Sequence, residues 1–137
     1  MIPDDYIDIT AEKIRIYRQL DGITSEKEMN RFKSQLQDRF GDLPAEVSNL
    51  FWVVKIRNLG ASLGFEKIII KNGLFIGFFI SNQMSPYFQS ELFGNVLKKI
   101  TENSAIFTLK QSEAKLKIIS RGIDSLEKAY FILSKLQ

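Results

Sequence analysis

The sequence contains no cysteine and no histidine. Without thiols there are no disulfides and no thiolate nucleophile. Without either residue the usual zinc and haem ligands are missing, and no imidazole is present to act as acid or base. Long hydrophobic runs are missing too. None approaches the ~18 apolar residues of a membrane-spanning helix, and the start, Met1-Ile2-Pro3-Asp4-Asp5, is acidic where a secretory signal would be basic. A cytoplasmic location is therefore the expectation. The catalytic options that survive are carboxylate pairs, Lys or Ser nucleophiles, or an oxygen-ligated metal, and none stands in a recognisable motif. The expectation is a chain that is not an enzyme and needs no cofactor.

What is present is an ordinary globular composition. Of 137 residues, 45% are hydrophobic and 26% charged, with 11 Phe. The chain is the size of one domain and long enough to bury about two-thirds of its unfolded surface. Residues 1–137 are thus read as a single domain, opening without a structured element as if part of something longer. Net charge is +3, unevenly placed: residues 1–64 carry nine Lys/Arg and ten Asp/Glu, residues 65–137 ten and six. Lysines scattered singly along strands also discourage edge pairing, so this balance alone does not make a phosphate track.

Residues 1–10 read as an extended acidic segment, with Ile2, Tyr6, Ile7 and Ile9 available for docking. A helix from about Ala11 to Leu20 follows, with Ile14, Ile16, Tyr17 and Leu20 as its apolar stripe. Asp21-Gly22 stops it. Ser25 and Glu28 form a capping box for a second helix burying Met29, Phe32, Leu36 and Phe40, which Gly41 ends. Pro44 suits the first position of a third helix running to about Leu63-Gly64. Its apolar residues cover more than one face, as expected of a central element.

The hydrophobic period then falls to two. Lys67–Lys71 and Leu74–Ile80 flank Asn72-Gly73, a type I′ hairpin signal. Pro86 opens a helix through Phe93, Val96, Leu97 and Ile100 to about Asn103. Ala105–Leu109 and Lys115–Ser120 read as a second hairpin, and a last helix, capped by Asp124 or Ser125, runs through Leu126, Ala129, Tyr130, Leu133 and Leu136. The expected class is α+β: N-terminal helices, then two hairpins forming a roughly four-stranded, mainly antiparallel sheet with helices on one face.

Several groups invite chemistry. Asp4, Asp5 and Asp8 are potential cation ligands, but they lack the Gly and distal Glu of a calcium loop and read as solvated acids. Gly60, Gly64, Gly73, Gly77 and Gly94 form no phosphate loop and read as turn and packing positions. Phe51, Trp52, Phe75, Phe78 and Phe79 offer ring surfaces to bases, yet their spacing is that of core residues. Asp38 is less easily absorbed. It sits in the last turn of its helix, where the macrodipole disfavours a negative charge by about 0.3–1 kcal/mol. Either a local ion pair with Arg39 or Arg31, or a bond into the helix junction, compensates it, or a partner does. Gln35, three residues earlier, lies on the same side.

At these positions the chain resembles a known family. Ile2-Pro3-Asp4-Asp5-Tyr6-Ile7, Arg15-Ile16-Tyr17-Arg18, Asp38-Arg39-Phe40-Gly41-Asp42-Leu43-Pro44 and Leu59–Gly64 look like the C-terminal domain of bacterial transcription-repair coupling factors, the Mfd family. Order and spacing match over residues 2–64. Beyond Gly64 the likeness is one of pattern.

The resemblance implies a C-terminal regulatory domain of a larger multidomain, ATP-driven DNA translocase that displaces stalled RNA polymerase and recruits UvrA in nucleotide excision repair. It implies that this domain packs on the N-terminal UvrB-like module of the same protein and masks the surface UvrA needs. Asp38 matches one of the family's acids that face basic residues on that module. Gln35 stands where relatives often have Glu, so half of the charge pairing is replaced by hydrogen-bonding capacity. Gln35, Asp38 and Arg39 are the candidate interdomain contacts. The competing reading is a nucleic-acid-binding module using the Lys-rich second half. A third, an enzyme built on carboxylates or Lys, calls for a pocket of converging acids.

Overall fold

In a computed structural model of the chain, residues 4–137 are described, with side chains from residue 10 onward. They form two compact units, Met1–Val54 and Lys55–Gln137.

Helix α1 spans Asp4–Asp21, so the segment expected to be extended as far as residue 10 is helical from Asp4. Acids at positions 4, 5 and 8 lie at a helix N-terminus, where exposed backbone N–H groups favour negative charge; the acidity marks a helix start. The docking roles expected of Ile2, Tyr6, Ile7 and Ile9, and any ligation by Asp4, Asp5 and Asp8, lie outside the described side chains. The apolar stripe of α1 is narrower than expected. Ile16 and Leu20 are buried, whereas Ile14 is 52% and Tyr17 39% exposed. Two residues amount to about 200° around a helix, so Ile14 and Ile16 cannot share one face.

Helix α2, Glu26–Phe40, begins as the capping signal predicts: Ser25 is its N-cap and its Oγ accepts from the Glu28 N–H at 3.3 Å. Gly41, at φ +76°, ends it and donates its N–H to the Gln37 carbonyl at 2.8 Å. Met29 and Leu36 are buried, and Phe32 is partly buried against Phe51 with ring centroids 5.9 Å apart. Phe40 departs from expectation: it is 46% exposed, at the last helical residue, where no following turn covers it.

Helix α3 spans Ala45–Leu63. Pro44 stands just outside it, its carbonyl accepting from Val47 and Ser48 at 3.0 Å each. The wide apolar coverage of α3 has a simple cause. Val47, Phe51 and Val54 join Ile16, Leu20, Met29 and Leu36 in the first unit's core, and Ile56, Leu59 and Leu63 belong to the second unit's core.

In the second unit, β1 (Phe65–Lys71) and β2 (Leu74–Phe79) form the expected hairpin, with Asn72 at φ +52° and Gly73 at +76°. A short 3-10 turn, Pro86–Gln89, precedes helix α4, Glu91–Glu102. The single helix expected from Pro86 is thus two pieces. Ser90 breaks it with extended backbone: its Oγ donates to the Tyr87 carbonyl and accepts from the Phe93 N–H, ending one turn and starting the next.

Strand β3 is Thr108–Ser112, later than expected, because Ile106 and Phe107 both donate to the Asn103 carbonyl and prolong the helix end as turns. Strand β4 is Lys115–Arg121, and α5, Leu126–Ser134, is capped by Ser125. The sheet is fully antiparallel in the order β1-β2-β4-β3. The architecture is α+β, as expected.

One side of the sheet makes the core. Phe75, Phe79 and Ile118 pack in one cluster with Val96 and Ile100 of α4 and with Ala129, Ile132 and Leu133 of α5. Two glycines permit the closeness. A Cβ on Gly77 would meet the Phe65 ring at 3.0–3.1 Å, and one on Gly64, at φ +106°, would sit 2.1 Å from the Tyr87 ring. The Tyr87 hydroxyl donates to the Leu63 carbonyl at 2.5 Å. Burial pushes the Tyr87 phenol up to about 12 from 10.

Two outcomes follow. Gly64→Ala should destabilise the chain by at least about 2 kcal/mol in urea melts, since both φ and the Tyr87 ring oppose a methyl group. Because the folded phenol releases its proton at higher pH than the unfolded one, the Tyr87 contribution is intact below pH 10 and is lost as pH rises from 10 to about 12. Tyr87→Phe should therefore flatten the fall in stability across that window.

Candidate interaction surface

Gln35, Asp38 and Arg39 of α2 are solvent-exposed, and Asp38 lies opposite the buried Met29 and Leu36. Spacings of three and four residues place Asp38 and Arg39 beside Gln35. The three candidates are therefore brought together by the helix itself.

The ion pairs of this unit lie elsewhere. Arg39 turns away from Asp38: its Nη2 lies 3.7 Å from Glu12 Oε1 on α1, and its guanidinium carbon stacks 4.7 Å from the Phe40 ring centroid. Arg15 also pairs with Glu12, so the two arginines share one acid. Asp38 forms no hydrogen bond or ion pair among the described residues. The expected local pair with Arg39 or Arg31 does not form.

Sequence reasoning missed the apolar groups exposed in this unit. Phe40, under the Arg39 guanidinium, and Ile14 and Tyr17 on α1 are large and accessible. The available signal for Phe40 was its position directly before Gly41; for Ile14 it was the 200° offset from Ile16.

The other candidates divide. Phe51, Phe75 and Phe79 are buried in the two cores, as their spacing suggested, while Trp52 and Phe78 are partly exposed. Gly60 and Gly77 serve packing against Ile68 and Phe65, and Gly73 serves the hairpin turn. No group of three potential metal-ligating residues occurs among the described residues. No helix among them is long and apolar enough to cross a membrane.

An uncompensated acid at a helix C-terminus has a measurable signature. Asp38→Asn should raise the stability of the chain by about 0.3–1 kcal/mol in urea melts. A loss of stability would reveal a stabilising partner within the chain.

Comparison with known proteins places the chain in a family. Residues 1–90 match the TRCF domain model. The chain is 32% identical over 123 residues to a transcription-repair-coupling factor of Rickettsia prowazekii, covering 90% of this chain and 10% of that protein. It is 30% identical over 134 residues to one of Staphylococcus epidermidis, covering 90% and 11%. The chain thus spans about a tenth of the length of these relatives. Its fold matches a crystal structure of the C-terminal domain of a transcription-repair coupling factor with a TM-score of 0.72 at 18% identity, over 98% of this chain and 84% of that one. From the extent of the TRCF match and the similarity to full-length relatives, the chain belongs to the TRCF domain family of transcription-repair coupling factors.

Proposed function

We propose that this chain is the C-terminal regulatory domain of a transcription-repair coupling factor, acting without catalysis of its own. In this reading the exposed side of α2 packs on the N-terminal UvrB-like module of the same protein and masks the surface that UvrA requires. Engagement of the parent translocase with stalled RNA polymerase releases the contact during nucleotide excision repair. DNA is reached through the parent protein, the compartment is the cytoplasm, and no cofactor is needed.

The observation that carries the proposal is Asp38: exposed, in the last turn of α2, and unpaired among the described residues. An acid that costs its own helix stability finds its compensation in a basic partner. Gln35 adds a donor and an acceptor beside it, and Arg39, whose Nη2 lies 3.7 Å from Glu12 Oε1, neighbours it in sequence. A charge of this kind sets register and specificity, while accessible apolar groups such as Phe40 supply affinity. The contact need not be strong. An intramolecular partner at millimolar effective concentration keeps a weak interface closed, and UvrA gains access when the equilibrium shifts.

In trans, the wild-type chain should bind the isolated UvrB-like module, and Asp38→Lys should weaken that binding by about tenfold or more, as expected for a pair turned repulsive. In the full-length parent protein the same substitution should raise UvrA affinity. Unchanged binding in both assays, with the fold intact by circular dichroism, rejects the contact.

A further inference from the structure

We infer that the open face of the sheet, opposite Phe75 and Phe79, is a binding platform for single-stranded nucleic acid. The antiparallel registers align residues in rows across the strands. One row runs Lys67, Phe78, Lys117, Lys110 through all four strands. The next is Ile69, Ile76, Ile119, Thr108, and the third is Lys71, Leu74, Arg121. Lys115, opposite Ser112, extends the same face. Alternation sends all of these side chains away from the core, and none is buried. Six are basic and none is acidic.

Folding does not account for this arrangement. Lys110 and Lys117 stand directly opposite each other, a like-charge pair that costs sheet stability. Edge protection explains lysines on β1 and β3, the outer strands. It does not explain Lys117 on β4, which is paired with Phe78 on one side and Lys110 on the other. None of the six cations forms an ion pair among the described residues.

The rings add the second half of the recognition chemistry. Phe78 lies between Lys67 and Lys117, whose Nζ atoms are 5.9 and 5.7 Å from its ring centroid. At the margin of the sheet, beyond the open face, Arg121 lines a cavity of about 400 Å³ with Lys128, Lys135 and Phe131 from the helix-covered side. Phe131 is 60% exposed, with Lys135 Nζ 4.7 Å from its ring centroid.

A ligand for this surface must carry repeated negative charge with flat, apolar groups between the charges. A single nucleic-acid strand alternates phosphates and bases in this way, with bases stacking on accessible rings and phosphates meeting lysines. The two cationic rows stand about 13 Å apart, four residues along a strand, with the isoleucine row between them. A duplex keeps its bases stacked and paired and offers none to the Phe78 ring.

The test uses this chain and a fluorescein-labelled oligothymidylate of about 15 nucleotides, followed by fluorescence anisotropy. Binding should be at least about fivefold tighter than to a duplex of equal length. It should weaken with salt at a log–log slope of about −2 to −3, the release expected from three or four phosphate contacts. Lys117→Glu should cost about tenfold or more, and Phe78→Leu, which keeps an apolar side chain but removes the π face, about fivefold or more. Lys98→Glu, the same charge change on α4, should cost less than about twofold. Lys117→Gln serves if Lys117→Glu fails to fold by circular dichroism, and should also weaken binding.

Absence of binding at about 50 mM salt overturns the assignment, as does a loss with Lys98→Glu equal to that with Lys117→Glu. Duplex binding as tight as single-strand binding does the same. Tighter capture of poly-L-glutamate than of the oligonucleotide would assign the face to an acidic protein segment instead.

Discussion

The second unit is organised by the pairing register of β2. Because side chains alternate across a strand, that register decides which set, Phe75 and Phe79 or Ile76 and Phe78, enters the core. A slip of one residue would bury Phe78 between its lysines and expose the rings on which α4 and α5 pack. Two local features prevent it. The Asn72-Gly73 turn, both residues at positive φ, fixes β1 against β2. Gly77, directly opposite Ile118, leaves room for the Phe65 ring where any side chain would collide. Tyr87 adds a clamp at the start of the sheet, its ring over Gly64 and its hydroxyl on the Leu63 carbonyl, so the end of α3 and the 3-10 turn are held to one geometry.

Features encoded within a few residues were legible from sequence. Ser25 with Glu28, Gly41 and Asn72-Gly73 each specify a cap or turn by their own chemistry, and the change of period at Gly64 separates helices from strands. The elements misread depend on competition between neighbours. The acids of α1 suit both a solvated extension and a helix start, and only the second satisfies backbone N–H groups as well. Pro86 signals a helix, but Ser90 offers its hydroxyl to two turns at once and divides it. Ile106 and Phe107 have strand-like side chains, yet their N–H groups find the Asn103 carbonyl first.

The two candidate surfaces differ in legibility for the same reason. Gln35, Asp38 and Arg39 are neighbours on one helix, so position in the sequence is position in space, and the conflict of Asp38 with the helix dipole is visible in the residue order. What the sequence withheld was the choice Arg39 makes, because Glu12 lies on another helix. The cationic face is the opposite case. Lys67, Lys110 and Lys117 are far apart in the chain and look like ordinary solvated lysines, and only the strand order β1-β2-β4-β3 places them in one row.

Charge is also divided between the units: Met1–Val54 carries a net −3 and Lys55–Gln137 a net +6, although the whole chain is only +3. The proposed contact of Asp38 with a basic module and the proposed lysine face for a polyanion are thus of opposite sign and on different units. Salt weakens both, but unequally. A single rim charge loses a modest part of its effect when screened, whereas a polyanion held by several lysines loses affinity as a power of salt concentration. Raising salt should release the polyanion well before it opens the α2 contact, so the two surfaces are separable by ionic strength as well as by substitution.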